Sequence, residues 1–414
     1  MKRISSQMNN NNTQYNLRIQ EQRLNKINNQ IGTQQKITTL RDDPLAAGHL
    51  VKYQSYLTRV ENYQKNGLTL SDSFVYQEGY MTNSLELMQR VRELAVTGAN
   101  GVYSKDDMKN MAVEVDELLQ ELVQNANALD PNGKSIFSGT ASSSKSFEVD
   151  LGHVDGAIQP LICEVRYNGN IEENLVEVDE NKFVSVDNSG SKVFWAENMR
   201  VFGGRDLSDW QVKTPSTVNI DGVKINLETG DTIYSFVQKI NNSGAAVKAG
   251  LDPITNGLNL TTTDAHQLWI EDVEGNVFNE IGMIKDSSQK PPYNYQDNVR
   301  VTGSSLFDTV ISLRDSLLKG DNESIGGRVL AGIDSGISNL TTRIAKSGSN
   351  YERLQNDILR NGATALNVTS NISREGDLDI TQAITDQKML EYTQQATLSN
   401  AGKMYSSSLL NYMK

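Results

Sequence analysis

The chain has 414 residues, 37% of them hydrophobic, with a mean hydropathy of −0.48. That length supports two or three domains, and the low apolar share favours an elongated, surface-rich molecule over one large globule. Lys and Arg number 39 against 51 Asp and Glu, a net charge of −12 with no basic block, which argues against nucleic acid and anionic membranes as partners. No apolar run approaches the roughly 18 residues that span a bilayer, so no membrane insertion is expected. The start, Met1 to Met8 followed by Asn9 to Asn12, lacks the apolar core of a secretory signal, which leaves specialised export open. Cys163 is the only cysteine, so no disulfide forms within the chain.

Residues 13–37 are rich in Asn and Gln and carry a thin stripe at Leu17, Leu24, Ile27 and Ile31, spaced 7, 3 and 4 as on a helical seam. Ordering a residue costs roughly 1–2 kcal/mol, while burying a Leu or Ile returns about 1.5–3 kcal/mol, so these four cannot hold the segment alone. Two readings stay open: an unstructured tail, or a helix that orders only against other copies of the chain. The turn Leu40-Arg41-Asp42-Asp43-Pro44 follows. Asp43 suits an N-cap and Pro44 the first helical position, so a long helix starts at Pro44.

Leu50, Tyr53, Leu57 and Val60 mark one face of that helix, and Phe74, Met81, Leu85, Met88 and Ala95 continue it after a weak patch at Gly67. It should end near Thr97, stopped by Gly98 and Asn100-Gly101. Ser104 and Asp107 form a capping box for a second helix striped by Met108, Met111, Val115, Leu118, Leu122, Ala126 and Leu129, and the two make an antiparallel hairpin.

From about residue 146 the pattern alternates, as in Cys163–Tyr167, Val176–Val178 and Phe183–Val186, with Asn-Gly and Ser-Gly turns between the runs. Val218 to Ile225 reads as a hairpin around Asp221-Gly222, Thr232 to Asn241 as a helix, and Gly257–Thr262 and Leu268–Val273 as strands. Trp195, Trp210 and Trp269 all fall here, so this part should own a separate core; the tryptophans serve that core or, in a glycan-binding alternative, act as stacking platforms.

Helical period returns near Leu306. The positions Ile333, Ile337, Leu340, Ile344, Ser347, Tyr351, Leu354, Ile358, Asn361, Ala365, Val368 and Ile372 keep coiled-coil spacing until Gly376-Asp377 breaks it. A last helix, striped by Ile380, Leu390, Leu398, Ala401, Tyr405 and Leu409, runs almost to Lys414. The matching stripes at the two ends call for each other, so the fold class expected is multidomain α+β. An elongated coiled-coil helical rod is built from both termini, with a β-rich middle domain inserted.

Nothing in the residues points to catalysis. His49, His153 and His266 stand without a second ligand at metal spacing, and no phosphate loop or nucleophile elbow occurs. Asp106-Asp107 and Asp42-Asp43 are explained by helix N-termini. Neither an enzyme nor a cofactor is expected.

Several segments resemble the flagellin and hook-associated protein family. They are Arg3-Ile4-Ser5, Ile37 to Ala47 with its Asp-Asp-Pro turn, Arg92-Glu93-Leu94-Ala95 through Asn100, and Ile136-Phe137-Ser138-Gly139-Thr140. Further on come Tyr167-Asn168-Gly169, the strand-helix-strand stretch Val218 to Met283 around Ile240-Asn241, Asp377-Leu378-Asp379, and Ser408 to Tyr412. Pro44, Phe137-Ser138-Gly139 and the Ser-Leu-Leu-Asn-Tyr ending are similar to the branch that joins hook to filament, with filament flagellin as the alternative. Arg41 and Gln34 depart from the family's serine and glycine, and Gln34 predicts an N-terminal helix that runs on with less of a break.

The resemblance implies an exported structural subunit. Its partners would be a hook-side junction protein, flagellin, its own copies in a ring and an export chaperone, on a flagellum that is extracellular or periplasmic. It assigns residues 1–43 and 376–414, through Leu17, Leu24, Ile27, Ile31, Leu398, Ala401, Tyr405 and Leu409, to an inner layer ordered on assembly. Residues 44–145 and 304–375 become the rod, packed through Leu50, Leu57, Leu85, Met88, Leu118, Leu122, Ile337, Leu340, Ile344, Tyr351, Leu354 and Ile358. Residues 146–303 become the outer domain.

Overall fold

A computed structural model describes residues 2–410, except 142–144, 186–188, 286–288, 290 and 292, and leaves out the side chains of 2–7, 9, 10 and 404–410. The chain divides into two compact units, one of residues up to 65 together with those from 357 onward, the other of residues 66–356.

In the terminal unit, helix α1 (Lys2–Thr33) packs along the C-terminal helix, and the first third of α2 (Pro44–Ala99) starts where Asp43 caps it. Gln34 does not let α1 run on. The helix stops at Thr33 and Gln34 takes φ 58°, the left-handed conformation that ends helices, because the chain must turn there to pair with the segment after Gly376.

The central unit holds two cores. The first gathers the rest of α2, α3 (Lys105–Ala126) and two antiparallel strands, β1 (Phe147–Gly152) and β2 (Leu161–Tyr167). The predicted capping box is present: Ser104 Oγ accepts from Asp107 N, and Asp107 Oδ2 accepts from Ser104 N. Gly98 is not the stop of α2. It lies inside the last turn, where a Cβ would press on Leu317. On α3 the buried line runs Met108, Ala112, Val115, Leu119, Leu122 and Ala126, while Leu118 and Met111 are half-buried and Leu129 is exposed. The face is turned by one residue because α3 is covered by a later helix as well as by α2.

A small hairpin, β3 (Leu175–Asp179) with β4 (Lys182–Ser185), and the short α4 (Gly190–Val193) follow; the predicted Val186 lies outside the described residues. The second core begins with β5 (Arg200–Phe202), β6 (Ser216–Ile220), β7 (Val223–Leu227), α5 (Ile233–Asn242), β8 (Val247–Leu251), β9 (Leu258–Thr262) and β10 (Ile270–Glu274). It closes with α6 (Val277–Glu280) and β11 (Arg300–Thr302). Its sheets have the orders β10-β6-β7 and β11-β5-β9-β8, all pairs antiparallel. Asp221 (φ 48°) and Gly222 (φ 85°) make the tight β6–β7 turn that the Asp-Gly pair foretells.

The expectation of one separate core for residues 146–303 therefore needs correction. Phe147, Ile162, Val165, Tyr167 and Phe194 join the helical core, where Phe137 and Phe147 meet Phe194 edge to face, Phe307 stacks on Phe194 and Phe147 tilts against Phe307, with ring centroids 5.0–5.6 Å apart. Rings this large bury more area against helices than a two-stranded sheet could offer them. Trp269 joins that core too, while Trp195 and Trp210 pack half-buried against the second.

The helical return at Leu306 is α7 (Leu306–Lys319), with a second capping box from Ser305 and Asp308. Gly320 (φ 74°) ends it, and α8 (Asn322–Ser324) and a π turn (Ile325–Val329) lead into α9 (Leu330–Gly376). That interruption had no expectation. Arg314 on α7 is fully buried, paired to Asp116 at 2.9 Å and Asp315 at 2.8 Å, so its charge is compensated. The final helix is α10 (Ile380–Leu410).

Candidate assembly surface

The terminal unit is built from local signals that meet at one turn. Asp43 Oδ1 accepts from the backbone N–H of Leu45 and Ala46, and Pro44 occupies the first helical position. Asp42 does something else. Its Oδ2 accepts from the backbone of Thr38 and Thr39 and from the Thr38 hydroxyl, and its Oδ1 lies 2.7 Å from Lys26 Nζ on α1. The Lys26 contact, with those hydrogen bonds, holds the Asp42 carboxyl far below the usual carboxylate range. The Asp-Asp pair thus divides its work: one carboxylate starts α2, the other ties the turn to α1. The first role is legible from Pro44; nothing in the sequence marks the second.

The same turn meets the break between α9 and α10. Gln35 bridges Asp377, with Lys36 N donating to Gly376 O at 2.7 Å and Leu378 N to Gln34 O at 3.0 Å. The Ser373 hydroxyl donates to Asp377, and Asp379 caps α10 through Gln382 N. Gly376 is buried where a Cβ would crowd Leu50. Beneath the turn lies a cavity of about 210 Å³ lined by Ile37, Leu40, Ala47, Leu50, Val51 and Ile372 among others.

Along α1 the stripe Leu17, Leu24, Ile27 and Ile31 is half-buried throughout. It faces α10, to which Gln20 bonds through Thr397 and Asn28 through Gln387. On α10, Ala401 and Ala383 are buried, whereas Leu398 is 52% exposed and Ile380 43% exposed, so these two lie off the covered face. The side chains of Tyr405 and Leu409 lie outside the described residues. Met389 and Tyr392 are also exposed, leaving α10 with uncovered apolar side chains.

The residues assigned to rod packing are all at least half covered. Leu50 and Leu57 are half-buried in the terminal unit, where Ile358 is buried. In the central unit Met88, Leu122, Leu340 and Leu354 are buried, and Leu85, Leu118, Ile337, Ile344 and Tyr351 half-buried. Ser347 and Asn361, the polar seam positions, are buried as well.

Among the described residues, no group of three His, Cys, Asp or Glu side chains could hold a metal ion, and no helix is long and apolar enough to cross a membrane. One histidine differs from expectation. His266 is not isolated but buried between Asp221 and Asp264, because the β6–β7 turn and the loop before β10 bring those carboxylates to it.

Residues 4–142 match the profile of the bacterial flagellin N-terminal helical region. The flagellar hook-associated protein 3 of Escherichia coli (strain K12) is 24% identical over 169 residues, 41% of this chain and 49% of that protein. The chain thus spans about half the length of the first curated relatives it matches. Polar flagellin F of Vibrio parahaemolyticus is 22% identical over 306 residues, 72% of this chain and 73% of its own. Among solved structures, the flagellar hook associated protein-3 from Legionella pneumophila aligns with a TM-score of 0.47 at 19% identity, over 78% of this chain and 97% of that one.

Proposed function

We propose that the chain is a member of the flagellin and hook-associated protein family and, within it, a structural subunit joining the hook of a bacterial flagellum to its filament; the match of residues 4–142 to the flagellin N-terminal helical region supports the first part. The family is structural and not enzymatic, and no catalytic step enters the reading. The observation that carries it is the half-covered stripe of α1 together with the uncovered Leu398 on α10. Each half-buried Leu or Ile leaves on the order of 1 kcal/mol of burial unrealised, so a ring of neighbouring copies gains several kcal/mol per subunit by completing it.

In this reading residues 1–43 and 376–414 form the inner layer of the assembled ring. Residues 44–145 and 304–375 supply its packed helical part, and 146–303 the β-rich part. One axial face meets the hook-side junction protein and the other meets flagellin, while an export chaperone guards the exposed apolar surface before assembly. The flagellum is then the site of action.

The seam is tested by Leu24→Asp, which should leave the far-ultraviolet circular dichroism of the free chain within a few per cent and abolish incorporation into flagella. Normal incorporation of that variant overturns the inner-layer assignment.

The second reading is a filament flagellin, favoured by the alignment with polar flagellin F over 72% of the chain. Gold labelling of purified flagella with a count of copies separates the two. A single band at the hook end supports the junction subunit, and labelling along the whole length supports the flagellin.

A further inference from the structure

On α9 a second stripe runs beside the apolar seam: Gly332, Gly336, Asn339 and Arg343, spaced 4, 3 and 4. Here the β-rich part meets the helix. A Cβ at Gly336 would collide with Leu306 and crowd Ala196, and one at Gly332 would press on Thr309. Asn339 Nδ2 donates to Lys192 O at 3.1 Å and Trp195 O at 2.7 Å. Arg343 Nη2 reaches Asp264 Oδ2 at 2.7 Å and Ala265 O at 3.3 Å. Those last two acceptors belong to the loop 263–269 between β9 and β10, so that loop is the second core's handhold on α9.

The loop is itself held by His266, 3% exposed. Its Nε2 lies 3.0 Å from Asp221 Oδ2 and its Nδ1 2.9 Å from Asp264 Oδ1. A neutral imidazole donates from one nitrogen only, so a carboxylate at each nitrogen is satisfied by the imidazolium alone. Asp221 also accepts from Trp269 N at 2.9 Å, which ties the far end of the loop to the same carboxylate.

We propose that His266 is a proton-held latch: its charged ring clamps Asp221 and Asp264, fixes loop 263–269, and so keeps the second β-rich core docked on α9 until the proton is lost. The groups around it are accounted for. Asp221 comes from the β6–β7 turn, Asp264 from the loop and Arg343 from α9. The Tyr295 hydroxyl, before β11, is buried and donates to Leu268 O. Glu197 and Asp334 line a cleft of about 590 Å³ with Asp264.

Two carboxylates against the imidazolium and the guanidinium balance. Asp264 is half-exposed and keeps Arg343, so removing the histidine proton leaves the buried carboxylate of Asp221 without its counter-charge. Burial, the largest influence on His266, opposes its charge, but the hydrogen bonds and attraction of Asp221 and Asp264 outweigh it and raise the group to about 9. A raised value means that the docking is fully stabilised below about 6.5 and loses that support as pH rises through about 9.

The test uses the full chain. Amide hydrogen exchange at residues 263–269, corrected for intrinsic rates, should lose protection by on the order of a hundredfold between pH 6 and pH 10. Over the same range Leu260 and Phe236 should stay protected. H266Q should already show the loosened loop at pH 6, with no further pH dependence. Carbon-13 NMR should find His266 titrating near pH 9. A flat protection profile in the wild-type chain, or titration of His266 near 6.5, overturns the proposal. If H266Q fails to fold, the wild-type pH profile and the NMR titration decide alone.

Discussion

The terminal and central units are built from the same helical period and reach opposite degrees of completion. In the central unit, Met81, Met88, Leu119, Leu122, Leu313 and Leu317 are covered almost entirely, the starts of α3 and α7 are boxed, and the fully buried guanidinium of Arg314 has its carboxylates. In the terminal unit the fully covered apolar side chains are fewer and often small, such as Ala47, Ala383 and Ala401, and the larger residues of the α1 stripe stop half-way. Most helix stability in proteins comes from a packed apolar face rather than from propensity. A stripe is therefore only as good as the partner the same chain supplies.

The contrast can be broken most forcefully by Leu119→Ala in the central core. A buried Leu lost to a cavity should cost about 3 kcal/mol, read as a lower urea midpoint for the central unit. A loss under about 1 kcal/mol would mean that this core is as loosely packed as the terminal seam. A smaller step is Ser305→Ala, which deletes the hydroxyl that accepts from Asp308 N at the start of α7. It should cost about 1 kcal/mol, seen as a fall in melting temperature of a few degrees. The smallest effect has the opposite sign. Gln34→Gly relieves a left-handed residue that carries a side chain, and should stabilise the terminal unit by about 0.5–1 kcal/mol, measured as slower amide exchange near the end of α1. No gain, or a loss, would mean that the Gln34 side chain stabilises the turn by more than its backbone strain costs.

Much of the molecule was legible from local chemistry. Asp43-Pro44 set the start of α2, Ser104 with Asp107 the start of α3, Asp221-Gly222 the β6–β7 turn and Thr232 the start of α5. The twelve stripe positions from Ile333 to Ile372 are all buried or half-buried. The candidate assembly surface was readable only as a stripe too thin to pay for its own order. The Lys26–Asp42 contact and the Asp221–His266–Asp264 cluster carried no sequence signal, because each joins residues whose neighbours in sequence look ordinary, while Gln34 carried one that pointed the wrong way: its side chain suggests a continuing helix, and the turn imposes the left-handed conformation all the same.

By itself, then, the sequence determined where α2, α3, α5 and the β6–β7 hairpin begin and which period each follows. Caps, turn conformations and side-chain spacing act over a few residues, and their energies do not wait for the rest of the chain. Tertiary structure decided which neighbour on a stripe is buried, Leu119 over Leu118, which strands share a core with helices, and which carboxylates reach His266. Those outcomes depend on pairs of surfaces far apart in sequence, and each is settled by the area and charge that both partners bring to the contact.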